Sequence, residues 1–330
     1  VLTLIFFLLC IGCAGQAPVG AAVPQRLVEL VPTDVDGTDS ERRDFGKMRL
    51  LSAYELRSKD RRFGGLSGLS IGADGFLYAV SDRGYWLSAR MVLNSTGKLA
   101  DLVDWQIEPL LSPQGAAVTD AWTDAEALTR TADGSFIVAF EQRHRLWRYP
   151  GPAKAFASAP TTISLPEAIS QAPINGGMEC LAALPDDRLL TLTEELKNPD
   201  GSFAGWVQEN GRFERLAYFP ASGYRVADCA ALRNGDLIVL ERRFTLITFW
   251  GARLTLVPAQ QLRGGAKLRG VELLRLESPL FADNFEGVAV QEINDGTAVY
   301  MVSDDNYHSL QRTLIYQFLL PKTHAHGPQQ

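Results

Sequence analysis

One pairing of residue types recurs five times along this 330-residue chain. An acidic or hydroxyl residue is followed by a small one, an apolar run, a polar turn, a second apolar run and then another acid. Ser67-Gly68-Leu69 leads through Asp74-Gly75 to Ser81-Asp82-Arg83, and Glu126-Ala127-Leu128 leads through Asp133-Gly134 to Glu141-Gln142-Arg143. Glu179-Cys180-Leu181 leads through Asp186-Asp187 to Thr193-Glu194-Glu195. Asp228-Cys229-Ala230 leads through Asn234-Gly235 to Glu241-Arg242-Arg243, and Glu286-Gly287-Val288 through Asp295-Gly296 to Ser303-Asp304-Asp305-Asn306. Gathered carboxylates do two kinds of chemistry: they bind hard cations through oxygen, and where neighbours perturb their pKa they carry protons to and from water. The first acids, Glu126, Glu179, Asp228 and Glu286, are therefore expected to hold a metal, with Ca²⁺ the fitting ion. The second acids, Asp82, Glu141, Glu194, Glu241 and Asp304, are expected to orient or deprotonate water. Arg83, Arg143 and Arg242, with Asn306, are expected to take an anionic substrate; Arg243 adds positive charge and Arg225 is a further candidate.

His144 and His308 follow their hairpins by a few residues and titrate near neutral pH, which makes each a candidate general acid or base. The plainer reading is a loop histidine without a role. His324 and His326 lie in a Pro-containing polar tail that reads as disordered. The acids also have a plainer reading, since carboxylates at hairpin ends cap backbone amides and would recur simply because the hairpin recurs. If instead they meet, several like charges within about 5–10 Å repel by a few kcal/mol per pair at intermediate dielectric. Arginines or a bound cation must then offset them.

A repeated hairpin is what brings these residues together. Asp-Gly and Asn-Gly between two short β-rich runs predict tight turns of type I′. Two further strand-like runs follow each hairpin, such as 85–93 and 102–110, and four strands per unit make a propeller blade. The unit recurs about every 55 residues, so the expected fold is an all-β propeller of five blades. The fifth unit lacks its outermost strand, and 48–56 stands ahead of the first unit with no partner; it is expected to complete the last blade and close the ring. Six blades stay open if residues 26–45 or an inter-blade stretch supply strands not visible in the pattern. A β-sandwich is the other all-β alternative, but it offers no reason for the repeat. In an antiparallel hairpin the start of the first strand and the end of the second share one end. Five blades around an axis then place both sets of acids at one mouth.

Lys and Arg number 32 against 38 Asp and Glu, which leaves no basic stripe for a nucleic acid. The first charged residue is Arg26. The apolar run before it reads as a secretory signal over 1–22, shorter in its apolar core than the roughly 20 residues a spanning helix needs. Cleavage near Gly20-Ala21-Ala22 and a lipid anchor at Cys13, within Leu9-Cys10-Ile11-Gly12-Cys13, are the two alternatives. Residues 23–45 then form an extension, 46–320 the propeller and 321–330 a tail. Cys180 and Cys229 are read as small residues packed where innermost strands crowd the axis, against a disulfide or a nucleophile. Trp86, Trp147 and Trp250 are read as inter-blade packing. No Gly-x-Ser-x-Gly elbow, P-loop, His-Glu-x-x-His or pair of Cys-x-x-Cys motifs occurs, so serine-esterase, nucleotide and zinc chemistry lack support.

Phe63-Gly64-Gly65-Leu66-Ser67-Gly68-Leu69 with Ser81-Asp82-Arg83-Gly84, and Asn284-Phe285-Glu286-Gly287-Val288 with Ser303-Asp304-Asp305-Asn306, resemble the bacterial phytase-like propeller family, known as "esterase-like activity of phytase". The resemblance runs from about Met48 to Leu320. It implies Ca²⁺ held by funnel carboxylates, a phosphomonoester gripped by ions and cationic side chains, and metal-activated water. β-Propeller phytases have six blades, one more than the count here. The expectation is thus an exported, monomeric, Ca²⁺-dependent hydrolase of small phosphate or carboxylic esters, periplasmic or extracellular, with no nucleic-acid partner and no membrane contact beyond a lipid on Cys13. The competing readings are a non-catalytic ligand- or partner-binding module and a lactonase-like propeller with one central metal.

Overall fold

In a computed structural model, residues 26–322 are described, and the structural statements below concern those residues. The signal over 1–22, the lipidation candidate Cys13, and His324 and His326 lie outside them.

Five sheets surround one axis; four have their strands in sequence order from the axis outward, and the fifth takes its outer strands from the N-terminal end of the described residues. The first blade runs Leu66–Ile71, Phe76–Ser81, Tyr85–Leu93 and Leu99–Pro109, and the second runs Ala125–Arg130, Phe136–Phe140, Arg145–Tyr149 and Thr161–Ile163. The third comprises Met178–Ala183, Leu189–Lys197, Phe203–Glu209 and Arg212–Tyr218, with Lys267–Leu268 added parallel at its edge. Arg225–Ala231, Leu237–Thr245, Phe249–Val257 and Val271–Leu276 make the fourth. Phe285–Ile293, Gly296–Ser303 and Leu314–Pro321 begin the fifth. Met48–Ser58 completes it by pairing antiparallel with Leu314–Pro321, as expected, and no strand edge is left open at the joint. Residues 26–45 do not make a sixth blade. Val28–Pro32 adds one more strand outside Met48–Ser58, and Asp44–Phe45 folds back onto its start.

The second strands are apolar on both sides because each blade is covered by two neighbours. In Phe76–Ser81, Leu77 and Ala79 face the fifth blade while Tyr78 and Val80 face the second. Five apolar clusters result, one between each pair of adjacent blades. Trp86 and Trp147 are buried in the cluster between the first two blades, as their packing role requires.

The turns differ from the expected type I′. Only the glycine of each Asp-Gly or Asn-Gly has positive φ, at 81° in Gly75, 84° in Gly134 and 89° in Gly235. The residue before it uses its side chain instead: Asp133 Oδ1 accepts the Ser135 amide at 3.0 Å and Asn234 Oδ1 the Asp236 amide at 3.0 Å. This side-chain turn accommodates a longer loop.

Candidate functional site

The innermost hairpin of each blade carries one β-bulge. Pairing slips between Leu66 and Gly68, Ala125 and Ala127, Met178 and Cys180, and Phe285 and Gly287. The residues left without a strand partner are Ser67, Glu126, Glu179 and Glu286. A bulge bends its strand and re-aims the extra side chain, and these bulges present the first acids at the mouth. Just before each bulge the strands pair through Ser81, Phe140, Thr193 and Ser303. The next residues, Asp82, Glu141, Glu194 and Asp304, form the outer ring.

The fourth blade is shifted by one. Its slip lies between Val226 and Asp228, and Val226 pairs with Glu241. The bulged residue is therefore Ala227, and the outer-ring position falls on Arg242. This corrects two expectations. Asp228 is no metal ligand by position: its Oδ2 accepts the Val288 amide of the fifth blade at 2.7 Å and its Oδ1 the Cys229 amide at 2.7 Å. Glu241 is turned into the blade rather than the mouth, where it accepts from the Tyr218 hydroxyl at 2.5 Å and from Arg253 Nη1 at 2.7 Å.

Arg242 supplies the counter-charge. Its Nη2 lies 3.0 Å from Glu194 Oε1, and its Nη1 donates to Asn284 Oδ1 at 2.9 Å and pairs with Glu286. Burial opposes its charge, but Glu194, Glu179 and Glu126 outweigh burial and hold its pKa up. Asn284 Nδ2 donates to Glu286 Oε1 at 2.6 Å, which fixes that carboxylate on the guanidinium.

On the other side of the mouth the acids have no such partner. Asp124, Glu126 and Glu141 each offer an oxygen within 4.8 Å of the others. Glu179 is 3 % exposed, and its buried Oε2 has no hydrogen-bond partner. Burial raises the pKa of both Glu126 and Glu179 well above the usual range, and neighbouring carboxylates raise it further: Asp124 and Glu141 for Glu126, Glu126 and Glu141 for Glu179. Asp82 is pushed up to about 7 by burial and by the charges of Asp304 and Asp124, and its Oδ1 is also buried without a partner. Burial brings Glu141 to about 7 against the pull of the Gly177 and Gly176 amides. Asp304 reaches about 6, again through burial first, although the Asn306 amide holds it down.

Glycines let the backbone approach these groups. Glu141 Oε1 accepts the Gly176 amide at 2.8 Å and that of Gly177. A Cβ on Gly177 would stand 2.5 Å from the His144 ring, and one on Gly65 would stand 2.2 Å from Asp82 Oδ1.

His144 lies half-buried beside Glu141, with Nε2 3.0 Å from the Pro173 carbonyl and Nδ1 buried without a partner. With Nε2 donating to that carbonyl, Nδ1 is left as an acceptor. His308 is exposed, its Nδ1 accepting only the Leu310 amide at 3.3 Å. Arg83 and Arg143 are exposed and stack on aromatic rings, 3.3 Å from the Tyr307 centroid and 4.7 Å from that of Trp122. Neither lines the cleft beside Arg242. That cleft, about 530 Å³, is bounded by Glu194, Glu286, Arg225, Arg242, Arg243 and Asn306. Trp250 forms its apolar wall with Phe244, ring centroids 4.9 Å apart, which corrects the reading of Trp250 as core packing.

Asp124 and Asn284 escaped sequence reasoning. Each stands two residues before a bulged acid, and the short motifs Asp124-Ala125-Glu126 and Asn284-Phe285-Glu286 were the available signal. The cysteine reading is also corrected. Cys180 and Cys229 form a disulfide with Cα atoms 4.9 Å apart, because the innermost strands of the third and fourth blades run side by side and bring the two small positions face to face.

The described residues thus define a five-bladed propeller with a buried, acid-lined mouth that carries one embedded arginine. Residues 61–307 match the model of the Phytase-like family, "Esterase-like activity of phytase", and the chain belongs to that family. None of the curated proteins matches it. Solved structures similar to it include a putative gluconolactonase, at 12 % identity and TM-score 0.45 over 91 % of this chain and 93 % of that one. The PQQ-bound aldose sugar dehydrogenase of Streptomyces coelicolor matches at 15 % identity and TM-score 0.41, over 81 % of this chain and 98 % of that one. The catalytic domain of the Coprinopsis cinerea GH62 α-L-arabinofuranosidase matches at 12 % identity and TM-score 0.49, over 83 % and 97 %.

Proposed function

We propose that this protein is a divalent-cation-dependent hydrolase of phosphate or carboxylic esters, with Ca²⁺ as the cation and the acidic mouth as its site. The reading rests on one observation above all: Glu179 keeps a buried, unpartnered carboxylate oxygen among Glu126, Glu141 and Glu194. A buried charge without a partner is strongly disfavoured, and an all-oxygen donor set suits a hard cation. Asp124, Glu126, Glu141 and Glu179 are the residues that would hold it. The chemistry a bound cation supplies is polarisation of the ester oxygen and acidification of water.

The chain's own groups divide the remaining work. Asp82 and Asp304, with pKa values of about 7 and 6, exchange protons at neutral pH, which suits a general base and its conjugate acid. Arg242 is held by Glu194 and Glu286 and faces the cleft, where it meets the anionic part of a substrate without having to reorganise. Asn306 stands at the cleft's edge. We extend the proposal to export, since a disulfide between blades fits an oxidising compartment.

The test is turnover of p-nitrophenyl phosphate and p-nitrophenyl acetate by the purified protein, with Ca²⁺ and after chelation. Turnover that needs Ca²⁺ and vanishes in the Glu126→Gln, Glu179→Gln double variant is the expected result. Calcium binding without turnover of either ester would favour a ligand-binding module instead.

A further inference from the structure

The second strand of every blade climbs to the mouth, so second-to-third-strand turns and the connectors entering each innermost strand share that face. Every large exposed apolar side chain among the described residues lies there except Val271. Trp122, Ile174 and Phe281 occupy connectors, Leu310 lies in the loop after Gly296–Ser303, and Phe244, Leu246, Ile247 and Phe249 form the hairpin tip of the fourth blade.

That tip is built to present carbon. Leu246 is 87 % exposed and Ile247 90 %. The polar side chains between them and the strands bond each other: Thr245 Oγ1 lies 2.7 Å from Thr248 Oγ1 and accepts the Thr248 amide at 2.9 Å. Three exposed cations stand on the same face, each over an aromatic ring: Arg83 on Tyr307, Arg143 on Trp122 and Lys197 on Phe203. None of the three makes a salt bridge among the described residues. The outermost strand adds a third relation. Val28 pairs with Ser58 at the mouth end of Met48–Ser58, so the described residues begin at this same face.

We propose that the mouth face docks on an anionic phospholipid bilayer. The Phe244–Phe249 tip enters the boundary of the acyl chains, and Arg83, Arg143 and Lys197 meet lipid phosphates. Apolar anchors flanked by snorkelling cations are what such an interface selects, and a water-soluble partner gives no reason for anchors distributed around a whole rim. The docking is independent of any hydrolytic activity.

Vesicles of phosphatidylcholine and phosphatidylglycerol, with brominated acyl chains in the phosphatidylcholine, provide the test with the full chain. Intrinsic tryptophan fluorescence is expected to be quenched, and the quenching to fall by about tenfold in a Leu246→Ser, Ile247→Ser, Phe249→Ser variant. A Val271→Ser variant on the far face is expected to behave as wild type. An Arg83→Gln, Arg143→Gln variant is expected to lose binding to mixed vesicles but not to pure phosphatidylcholine. The three substituted tip side chains are exposed, so circular dichroism of the variant is expected to match wild type. Quenching that persists in the serine variant means the segment before Arg26 alone reaches the lipid, and overturns the proposal. So does a wild-type dimer in sedimentation that the serine variant dissolves, since the tip then serves a second copy.

Discussion

Arg242 and Glu194 occupy the same register position in neighbouring blades, and their side chains meet at 3.0 Å. A shift of one residue in the fourth bulge thus replaces one carboxylate of the outer ring by a guanidinium. The repulsion expected of a ring of acids is offset on that side from within the repeat, and only partly offset, through space and without an ion pair, on the side of Glu126 and Glu179.

Removing the arginine should therefore cost more than a surface ion pair. Arg242→Met leaves Glu194 and Glu286 buried without their cation, and a loss of about 3–5 kcal/mol is expected. Arg242→Lys should recover part of it, because a point charge replaces a two-armed donor. Urea denaturation of the three proteins measures both, and a loss under about 1 kcal/mol for the methionine variant would match only a solvent-screened pair.

The acids on the open side predict an inverted pH dependence. Asp82 and Glu141 are raised to about 7 and Asp304 to about 6, burial being the largest cause in each. In the unfolded chain such groups release their protons near pH 4. Between about pH 4 and 7 the folded protein holds the extra protons, so its stability falls as pH rises through that window. Carboxylates whose pKa is lowered, such as Asp36 and Asp200 at about 2, contribute stability that is lost only below about pH 4. In chelator, the melting temperature should fall from pH 4.5 to 7.5 by several degrees, and Ca²⁺ at pH 7.5 should restore it. A flat or rising curve in chelator would falsify this account.

Two buried acids should respond oppositely to neutralisation. Glu179→Gln removes a buried carboxyl whose ionisation is opposed by burial and by neighbouring carboxylates, so the chelated protein at pH 7.5 is expected to melt about 2–4 °C higher while losing the stabilisation that Ca²⁺ brings. Asp228→Asn weakens acceptance of two backbone amides and should cost about 1–2 kcal/mol, with calcium affinity unchanged. Calorimetric titration and thermal melts of both variants separate the roles, and reduced calcium affinity in the Asp228 variant would contradict its placement between blades.

Gly177 is predicted to be intolerant of a side chain. Its Cβ would meet the His144 ring at 2.5 Å, and the displaced loop would withdraw the amides that orient Glu141. Gly177→Ala should lower calcium affinity by about 10- to 100-fold, as loss of a ligand's supporting hydrogen bonds does. Isothermal titration reads it directly, and an unaltered affinity would exclude Glu141 from the ligand set.

The disulfide should carry a sizeable share of stability. Cys180 and Cys229 are 49 residues apart, and cross-linking a loop of that length is worth about 2–4 kcal/mol. A Cys180→Ser, Cys229→Ser variant should lose that amount in urea, and a reductant should then have no further effect on it.

Which residues reach the mouth was partly written in the repeat. Glu126, Glu179, Glu194, Glu286 and Asp304 follow from hairpin topology alone, because the two ends of a hairpin share a face whatever its neighbours do. Asp228 and Glu241 did not, since the residue that faces the axis depends on where the bulge falls. Alternation reverses with a slip of one, and the fourth blade slips where the other four do not. Trp250 was misjudged for a related reason: a third-strand aromatic is buried only where the next blade covers it, and this one begins at an uncovered tip.

The sequence by itself pointed to five blades while leaving six open, and it determined the direction of every hairpin and the strand that closes the ring, because each is set by local periodicity and by where polar turns interrupt it. Only the tertiary structure decided that Cys180 meets Cys229, that Arg242 stands among acids, and that Asp124 joins Glu126 and Glu141. Asp124, Glu126 and Glu141 meet through the bulge in the second blade's own innermost hairpin, whereas the other two contacts cross from one blade to the next. Their distances depend on how five sheets pack and twist around an axis, which no residue pattern within a single repeat encodes.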